Sequence, residues 1–563
     1  MTKVFPGVSP PQNNGHSCHR RLVSSVKLGW HLLFSPSGLF GAEGRHFLTI
    51  FLVREIVEVF TQTYQAYRFS LFLPRVWLND AAVALLVINC WSTLVVHHFL
   101  RKSPALERVL ALFVDVFICI AMVIGVPVVL FARYVAAFDL AHQRFNSSVS
   151  LYDPTFVAVL ILDAKLILAT GLMDFIAKLI PHGAIYLSLV SISGLVVRKC
   201  HKRPTSQKLT SVSLQSTVRL PKETGKAPHR TKVPKGSSSK GLTHVGSASN
   251  AMKMFFCLWG VVVLTLHLHA KFLSQYSGVN GCRASTRPWL MSRMACSTLV
   301  VDCHEQGSAS VNETIFEQID GSVLSTLSLI QCSALSMPPA LLRFNNLVLL
   351  HVYNSTVVSW GNEESGSSNP YLLVLGVVRS LVSSEAAEGL LKPASLYAAQ
   401  FCDTNLTAVP DTIKLHQNMA IVGFDYNELT TVPASLLSLQ SYMISLRANR
   451  LETLPDLSNM LRGQTLHSLE LNDNPLLELP DTLDLSYFIE RLYLQGTNIT
   501  ALPAWTQTHV LKEIYMHGTP YCSSTSPELV QDKVICNDLP TENPNLELPF
   551  NWFDSMYAYS EDG

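Results

Sequence analysis

Ten polar or aromatic residues recur at outward-facing positions of a repeated spacing in the second half of the chain. They are Asp425 and Tyr426, Arg447, Glu470, Asn472 and Asp473, Tyr493 and Gln495, and Tyr515 and His517. Tyrosine and arginine bring large contact surfaces and planar donors, and acids beside them select basic partners, so this set suits recognition rather than bond breaking. No H-E-x-x-H helix, G-x-x-x-x-G-K-[ST] phosphate loop or kinase set of glycine loop, H-R-D and D-F-G occurs in the chain. The expectation is a binding protein with no catalytic residues, metal or cofactor.

A second set stands in apolar surroundings. Asp115, Asp163, Lys165 and Asp174 interrupt hydrophobic runs, and an ionisable group inside a membrane is costly unless paired. Asp163 and Lys165 are two residues apart and share no helix face, so pairing across helices, for example Lys165 with Asp115, is expected. A third set is Asn312, Asn354, Asn405 and Asn498, with Asn146 earlier, each followed by x-Ser/Thr. These are glycosylation candidates and permit an exterior location.

The elements that hold the first set are written in the spacing. "VGFDYNELTTVP" (422–433), "ISLRANRLETLP" (444–455), "LELNDNPLLELP" (469–480) and "LYLQGTNITALP" (492–503) share one skeleton, L-x-L-x-x-N-x-L-x-x-L-P. Its polar sixth position falls at Cys332, Ser355, Ser380, Thr404, Asn427, Asn449, Asn474, Thr497 and Thr519, 22 to 25 residues apart. In L-x-L the leucines of a short strand point inward and the residues between them outward. One repeat buries nothing alone, but a stack closes a continuous core. The small polar residue sits at the bend, where a buried side chain can bond backbone groups left unpaired. Stack ends need covers: Cys522 and Cys536 are expected to staple a closing cap. Cys282, Cys296 and Cys303 offer three pairings in the opening cap, where Trp289 can cover apolar surface. Cys332 is expected to be a buried structural thiol, Cys402 to pair with nothing, and the aromatics of the acidic tail to pack on the closing cap.

The first half reads differently. Runs at 81–100, 109–132, 156–175, 179–197 and 254–270 approach the roughly 20 apolar residues a span requires. The third and fourth read as a hairpin about "KLIPHG". The opening residues lack an apolar core followed by small residues, so membrane entry is expected to use a later, retained segment. Between 198 and 253, thirteen Lys and Arg face the single acid Glu223. By the bias of basic loops toward the cytoplasm, five spans place this linker inside and everything after Lys271 outside; a four-span alternative also exports the C-terminal half. The resulting division is a basic leader with an amphipathic helix (1–78), about four transmembrane helices (79–198), a disordered basic linker (199–252) and a final transmembrane helix (253–273). An N-terminal cap (274–320), about nine repeats (321–521) and a C-terminal cap with acidic tail (522–563) follow. The amphipathic helix "REIVEVFTQTYQAYRF" is expected at the membrane interface.

From about 321 to 536 the chain resembles leucine-rich-repeat proteins, and the quoted phrases carry that resemblance. It implies a curved solenoid with a parallel β inner face that binds proteins. Taken with "REIVEVFTQTYQAYRF", "INCWST" and the multi-span first half, the whole chain resembles the multi-pass membrane leucine-rich-repeat proteins of oomycetes. It also invites comparison with volume-regulated anion channel subunits, from which it departs by its basic linker and the apolar segment directly before the repeats. The fold expected is an α-helical membrane bundle joined to such a solenoid. The function expected is receptor-like or adhesive capture of a protein or peptide, by a plasma-membrane glycoprotein with its repeats extracellular. Membrane lipid and a signalling partner in the membrane are expected partners, and nucleic acid is not. The alternative is a channel or transporter subunit with a regulatory repeat domain.

Overall fold

The computed structural model describes residues 47–201 and 239–557, apart from 101, 103, 141–143, 146–152, 277, 362–370, 459–462, 525–531 and 538–549. The leader before 47, the linker core 202–238 and the sequon at Asn146 lie outside the described residues. The chain forms two compact units. One comprises residues up to 66, 80–129 and 169–266; the other comprises 67–79, 130–168 and the residues from 267 onward.

The first unit is helical. α1 (Phe47–Phe72), α2 (Val76–Leu100) and α3 (Pro104–Ile120) are followed by a wider π turn at Ala121–Gly125 and by α4 (Val126–Ala137). The widening directly precedes Pro127, which cannot donate to the carbonyl four residues back. α4 from Leu130 onward and the whole of α5 (Pro154–Ile167) belong to the second unit, and α6 (Leu172–His201) and most of α7 (Ser239–Tyr276) return to the first. Among the described residues four segments are long and apolar enough to cross a membrane: Val76–Leu100, Val109–Ala137, Leu172–Leu189 and Ala251–Ser274. Burial in this unit is inverted relative to a water-soluble bundle. Phe113, Phe117, Val128 and Leu258 point outward, whereas Glu58, Gln62, Asn89 and Asp115 are buried.

Four expectations change here. The run 156–175 is not one span: α5 has 14 residues, starts on an Asp153 cap that accepts from the Thr155 amide, and ends at an extended Leu168. Its companion helix α6 continues through "KLIPHG" with Pro181 inside it, so the break falls at 168–171 instead. The linker expected to be disordered through 252 is helical from Ser239. The polar stripe of α1, Glu55, Glu58, Gln62 and Gln65, is turned into the bundle while Val53, Val57 and Phe60 face outward. An interfacial helix would show the opposite arrangement.

In the second unit each of the nine phrases contributes one strand: β3 (Thr326–Ile330), β4 (Leu349–Tyr353), β5 (Val374–Val382), β6 (Ala398–Thr404), β7 (Ile421–Gly423), β8 (Met443–Ser445), β9 (Gln464–Glu470), β10 (Tyr487–Tyr493) and β11 (Val510–Tyr515). The parallel ladder gains β2 (Cys296–Asp302) at the front and β12 (Val534–Ile535) at the back, and β1 (Cys282–Ser285) pairs antiparallel with β2. Stacked in register along the inside run Leu299, Leu327, Leu350, Leu375, Ala399, Val422, Ile444, Leu469, Leu492 and Ile514. All are buried, as are the second apolar positions Leu446, Leu471 and Leu494. Such ladders bury what no single repeat could.

The bend has two parts. All nine polar sixth positions are buried. Asn474 donates through Nδ2 to the carbonyls of Leu446 and Leu471 and accepts at Oδ1 from the Leu451 amide, 2.8 to 3.1 Å. Asn449 and Asn427 repeat the pattern one and two coils earlier. The residue just before each polar position is left-handed: Gln331, Asn354, Arg379, Asp403, Tyr426, Ala448, Asp473, Gly496 and Gly518, with φ from 45° to 76°. An L residue pays roughly 1 kcal/mol or more there. At Gly496 an added Cβ would also meet Asp473 Oδ1 at 2.8 Å. Gly496→Ala is therefore expected to cost about 1–2 kcal/mol, whereas Ala448→Gly should be neutral or slightly stabilising. Thermal unfolding of the two variants checks the opposite signs.

Disulfides join Cys282 to Cys296, Cys303 to Cys332, and Cys522 to Cys536. Cys332 is thus not a free thiol; the bend of the first repeat brings it against the end of β2, and the front of the solenoid is tied to its cap. Cys402 is unpaired and buried. Trp289 is buried and lies 6.3 Å from the Tyr67 ring.

Candidate ligand surface and buried charge clusters

Side chains between the inward positions form rows across the inner face. One row runs Gly423, Ser445, Glu470, Tyr493, Tyr515, in which the Tyr493 and Tyr515 rings stack at 4.7 Å. The ten residues singled out by spacing come to this surface but are not alike. Asp425, Glu470 and Tyr493 are buried, Arg447, Asn472, Gln495 and Tyr515 half-buried, and Tyr426, Asp473 and His517 exposed. Ser445 Oγ reaches Asp425 Oδ1 at 2.5 Å and Glu470 Oε2 at 3.2 Å. Asp425 also accepts from the Arg447 amide. These two acids brace neighbouring coils. The half-open group is Arg447, which meets Asp473 at 3.2 Å and lies over the Tyr426 ring at 5.4 Å. Two coils further on, Arg491 pairs with Glu513, whose carboxylate also accepts from the Tyr515 hydroxyl. Burial and that carboxylate together push the Tyr515 phenol upward.

The early repeats carry a surface that the spacing argument missed. Ile330, Tyr353, Val378 and Cys402 form one in-register row, at the outward position filled by Asp425 in the following repeat. The signal was legible: four successive outward positions are apolar or aromatic before the phrase turns polar. This row is covered by α8 (Phe550–Tyr557), whose Phe553 and Tyr557 are buried against it. Phe553 and Tyr557 of the tail therefore pack on the early inner face, not on the closing cap, because the matching apolar row lies there.

Under the same helix His351 is 2 % exposed, 5.5 Å from the Phe553 ring, with Nδ1 lacking a hydrogen-bond partner. Burial lowers its pKa from 6.5 to about 4. The unfolded chain then binds a proton that the folded chain does not, so stability is complete above pH about 6.5 and falls as pH drops toward 4. The loss is expected to reach about 3 kcal/mol. His351→Gln should flatten the slope of stability against pH in that window, which acid-titrated unfolding measures directly.

The charges expected within the membrane all have partners. Asp115 accepts from Arg54 Nη2 at 2.8 Å and from Ser188 Oγ at 3.3 Å. Lys165 donates to Asn346 Oδ1 at 3.0 Å. Lys165 and Asp115 belong to different compact units. Asp163 receives Arg75, Arg133 and the Tyr134 hydroxyl at 2.8 to 3.3 Å. With Lys165 it sits on α5, a helix too short to cross. Asp174 pairs with Lys178 one turn on. A relay runs inside the helical unit from Asn89 through Gln62 and Cys119 to Glu58. Ligand atoms of Glu58, Asp115 and Cys119 lie within 4.8 Å of one another, a donor set able to hold a metal ion, although Arg54 already faces both carboxylates.

Of the sequons, Asn312, Asn354, Asn405 and Asn498 are exposed. Asn405 Oδ1 accepts from the Val382 amide and Asn312 Oδ1 from Thr314, and among the described residues the Asn354 and Asn498 side chains make no such bond.

No family model matches the chain, and no curated protein matches it. Among solved structures it is similar to a plant ice-binding protein, at 15% identity and TM-score 0.28, over 46% of this chain and 95% of that one. It is also similar to a leucine-rich-repeat protein of Leptospira interrogans, at 17% identity and TM-score 0.20, over 44% and 81%. A leucine-rich-repeat protein of Bacteroides eggerthii matches at 13% identity and TM-score 0.23, over 37% and 47%. The parallel ladder, the buried bend residues and the left-handed residue before each fit a repeat solenoid.

Proposed function

We propose that this is a membrane-anchored binding protein of receptor-like or adhesive type, which captures a basic protein or peptide segment on the inner face of its later repeats and performs no catalysis. The observation that carries this is the in-register surface around Tyr426, Arg447 and Asp473, where an exposed aromatic, a half-open guanidinium and an exposed acid adjoin. Such groups dominate binding energetics. Support for anchoring comes from four helices of sufficient length and hydropathy and from the outward apolar side chains of the helical unit. In this reading the helices contact lipid and a signalling partner in the membrane, and the repeats lie outside the plasma membrane. Three disulfides in the repeat unit favour an oxidising compartment.

The test is binding of the full-length protein to an array of Lys/Arg-rich peptides at two salt concentrations. Tyr426→Ala and Asp473→Asn are each expected to weaken the bound set about tenfold, the scale of a binding hot spot. Unchanged binding in both variants would overturn the assignment of this surface.

A second reading, a channel or transporter subunit, is favoured by the buried relay and the Arg54, Glu58 and Asp115 group in the helical unit. Asp115→Asn separates the two: loss of a membrane current with peptide binding intact would favour transport.

A further inference from the structure

An inner face that meets water must be polar, and from Asp425 onward it is. In the earlier repeats the corresponding row, Ile330, Tyr353, Val378 and Cys402, is apolar and continuous, a stripe that would be a liability without a partner. α8 supplies one. Phe553 and Tyr557, four residues apart and so on one helix face, are 1 % and 4 % exposed against this row and Val300. Polar contacts fix its register. Asp554 accepts from Arg379 Nη2 at 2.8 Å and from the Tyr353 hydroxyl. The Tyr557 and Ser328 hydroxyls lie 2.9 Å apart. Tyr353 is 5.1 Å from the Tyr557 ring.

We propose that the inner face of the early repeats is a second binding site, specific for a short amphipathic helix with aromatics at i and i+4 and an acid at i+1, and that the C-terminal helix occupies it in cis. Eight residues are too few to hold a helix in water alone, so α8 owes its shape to this surface. The apolar row supplies affinity and Arg379 with Tyr353 reads the acid, as in other helix-in-groove recognition. A partner presenting the same pattern enters by displacing α8, against the high effective concentration of a tethered segment. This site uses earlier repeats than the surface around Arg447 and does not rest on the function proposed above.

The test uses full-length protein and a fluorescent peptide of residues 548–560, "LPFNWFDSMYAYS". Wild-type protein should bind it weakly, and a chain carrying F553A and Y557A at least tenfold more tightly. Within that chain, a peptide with D554K should lose binding and regain it when Arg379→Glu is added. Alkylation of the Cys402 thiol, buried beneath α8, gives a readout in chains with intact tail aromatics. Arg379→Glu should speed it, and adding Asp554→Lys should slow it again. Absence of peptide binding to the F553A/Y557A chain, with Cys402 equally protected in wild type and Arg379→Glu, would overturn the proposal. Tyr426→Ala leaves these readouts unmoved if the two sites are separate.

Discussion

Asn474→Ala is expected to lower the local opening free energy of β8 to β10 by about 3 kcal/mol, a fall of about 100-fold in amide protection there. The argument is one of unpaired groups. Asn474 is 1 % exposed, and its amide closes two carbonyls and one backbone N–H from two neighbouring coils. Alanine removes the partner but leaves those backbone groups inside the coil, so each pays its desolvation cost without a bond. Water has no room to substitute while the inward leucines stay stacked. Asn498→Ala, at an exposed position two residues past the left-handed Gly496, should leave protection unchanged. Hydrogen exchange on the full chain, read strand by strand, is the appropriate measurement because stability in a repeat stack is local.

Cys332→Ser should be at least as costly, about 3–4 kcal/mol. The Cys303–Cys332 bridge spans 29 residues of sequence, and closing a loop of that length restricts the unfolded chain by this amount in the chain-entropy account. Cys522–Cys536 spans only 14, so Cys522→Ser should cost slightly less, about 3 kcal/mol. The two differ more in place than in size. Loss of the first bridge should lower protection in β2 and β3, whereas loss of the second should loosen β12. Mild reduction of the wild-type protein should reproduce both patterns together.

The repeat unit was legible in the sequence because its periodicity fixes burial. Inward leucines, small polar bends and the count of phrases all follow from residues that must be what they are for neighbouring coils to stack. Its inner-face residues were legible only as positions. Asp425 and Glu470 occupy outward phases yet are buried, since they brace adjacent coils through Ser445, and no spacing rule distinguishes a brace from a ligand. The left-handed residue before each bend was missed because Tyr426, Ala448 and Arg379 stand where glycine or asparagine would have announced it. The Cys303–Cys332 bridge was missed because its partner occupies a polar bend position that other repeats fill with Ser, Thr or Asn.

In the helical half, hydropathy identified apolar runs but not their breaks. The run 156–175 has the composition of a span, yet Asp153 and Pro154 start its helix and an extended Leu168 stops it after 14 residues. Asp163 then meets arginines at 75 and 133 that lie far off in sequence. The tail was misplaced for the same reason: pairing an aromatic helix with an apolar row about two hundred residues earlier, such as Tyr557 with Ser328, depends on curvature that a linear pattern does not record.

The central claim, an exterior repeat unit that binds protein, is tested most directly by membrane sidedness. A tag placed after Gly563 and probed on intact cells, together with glycosidase treatment of the wild type and of Asn354→Gln and Asn498→Gln variants, reads both the tail and the repeats. The account predicts an accessible tag and a mass shift on deglycosylation that shrinks in the variants. A protected tag with no glycan would contradict it, placing the repeats in the cytoplasm and favouring the channel or transporter reading.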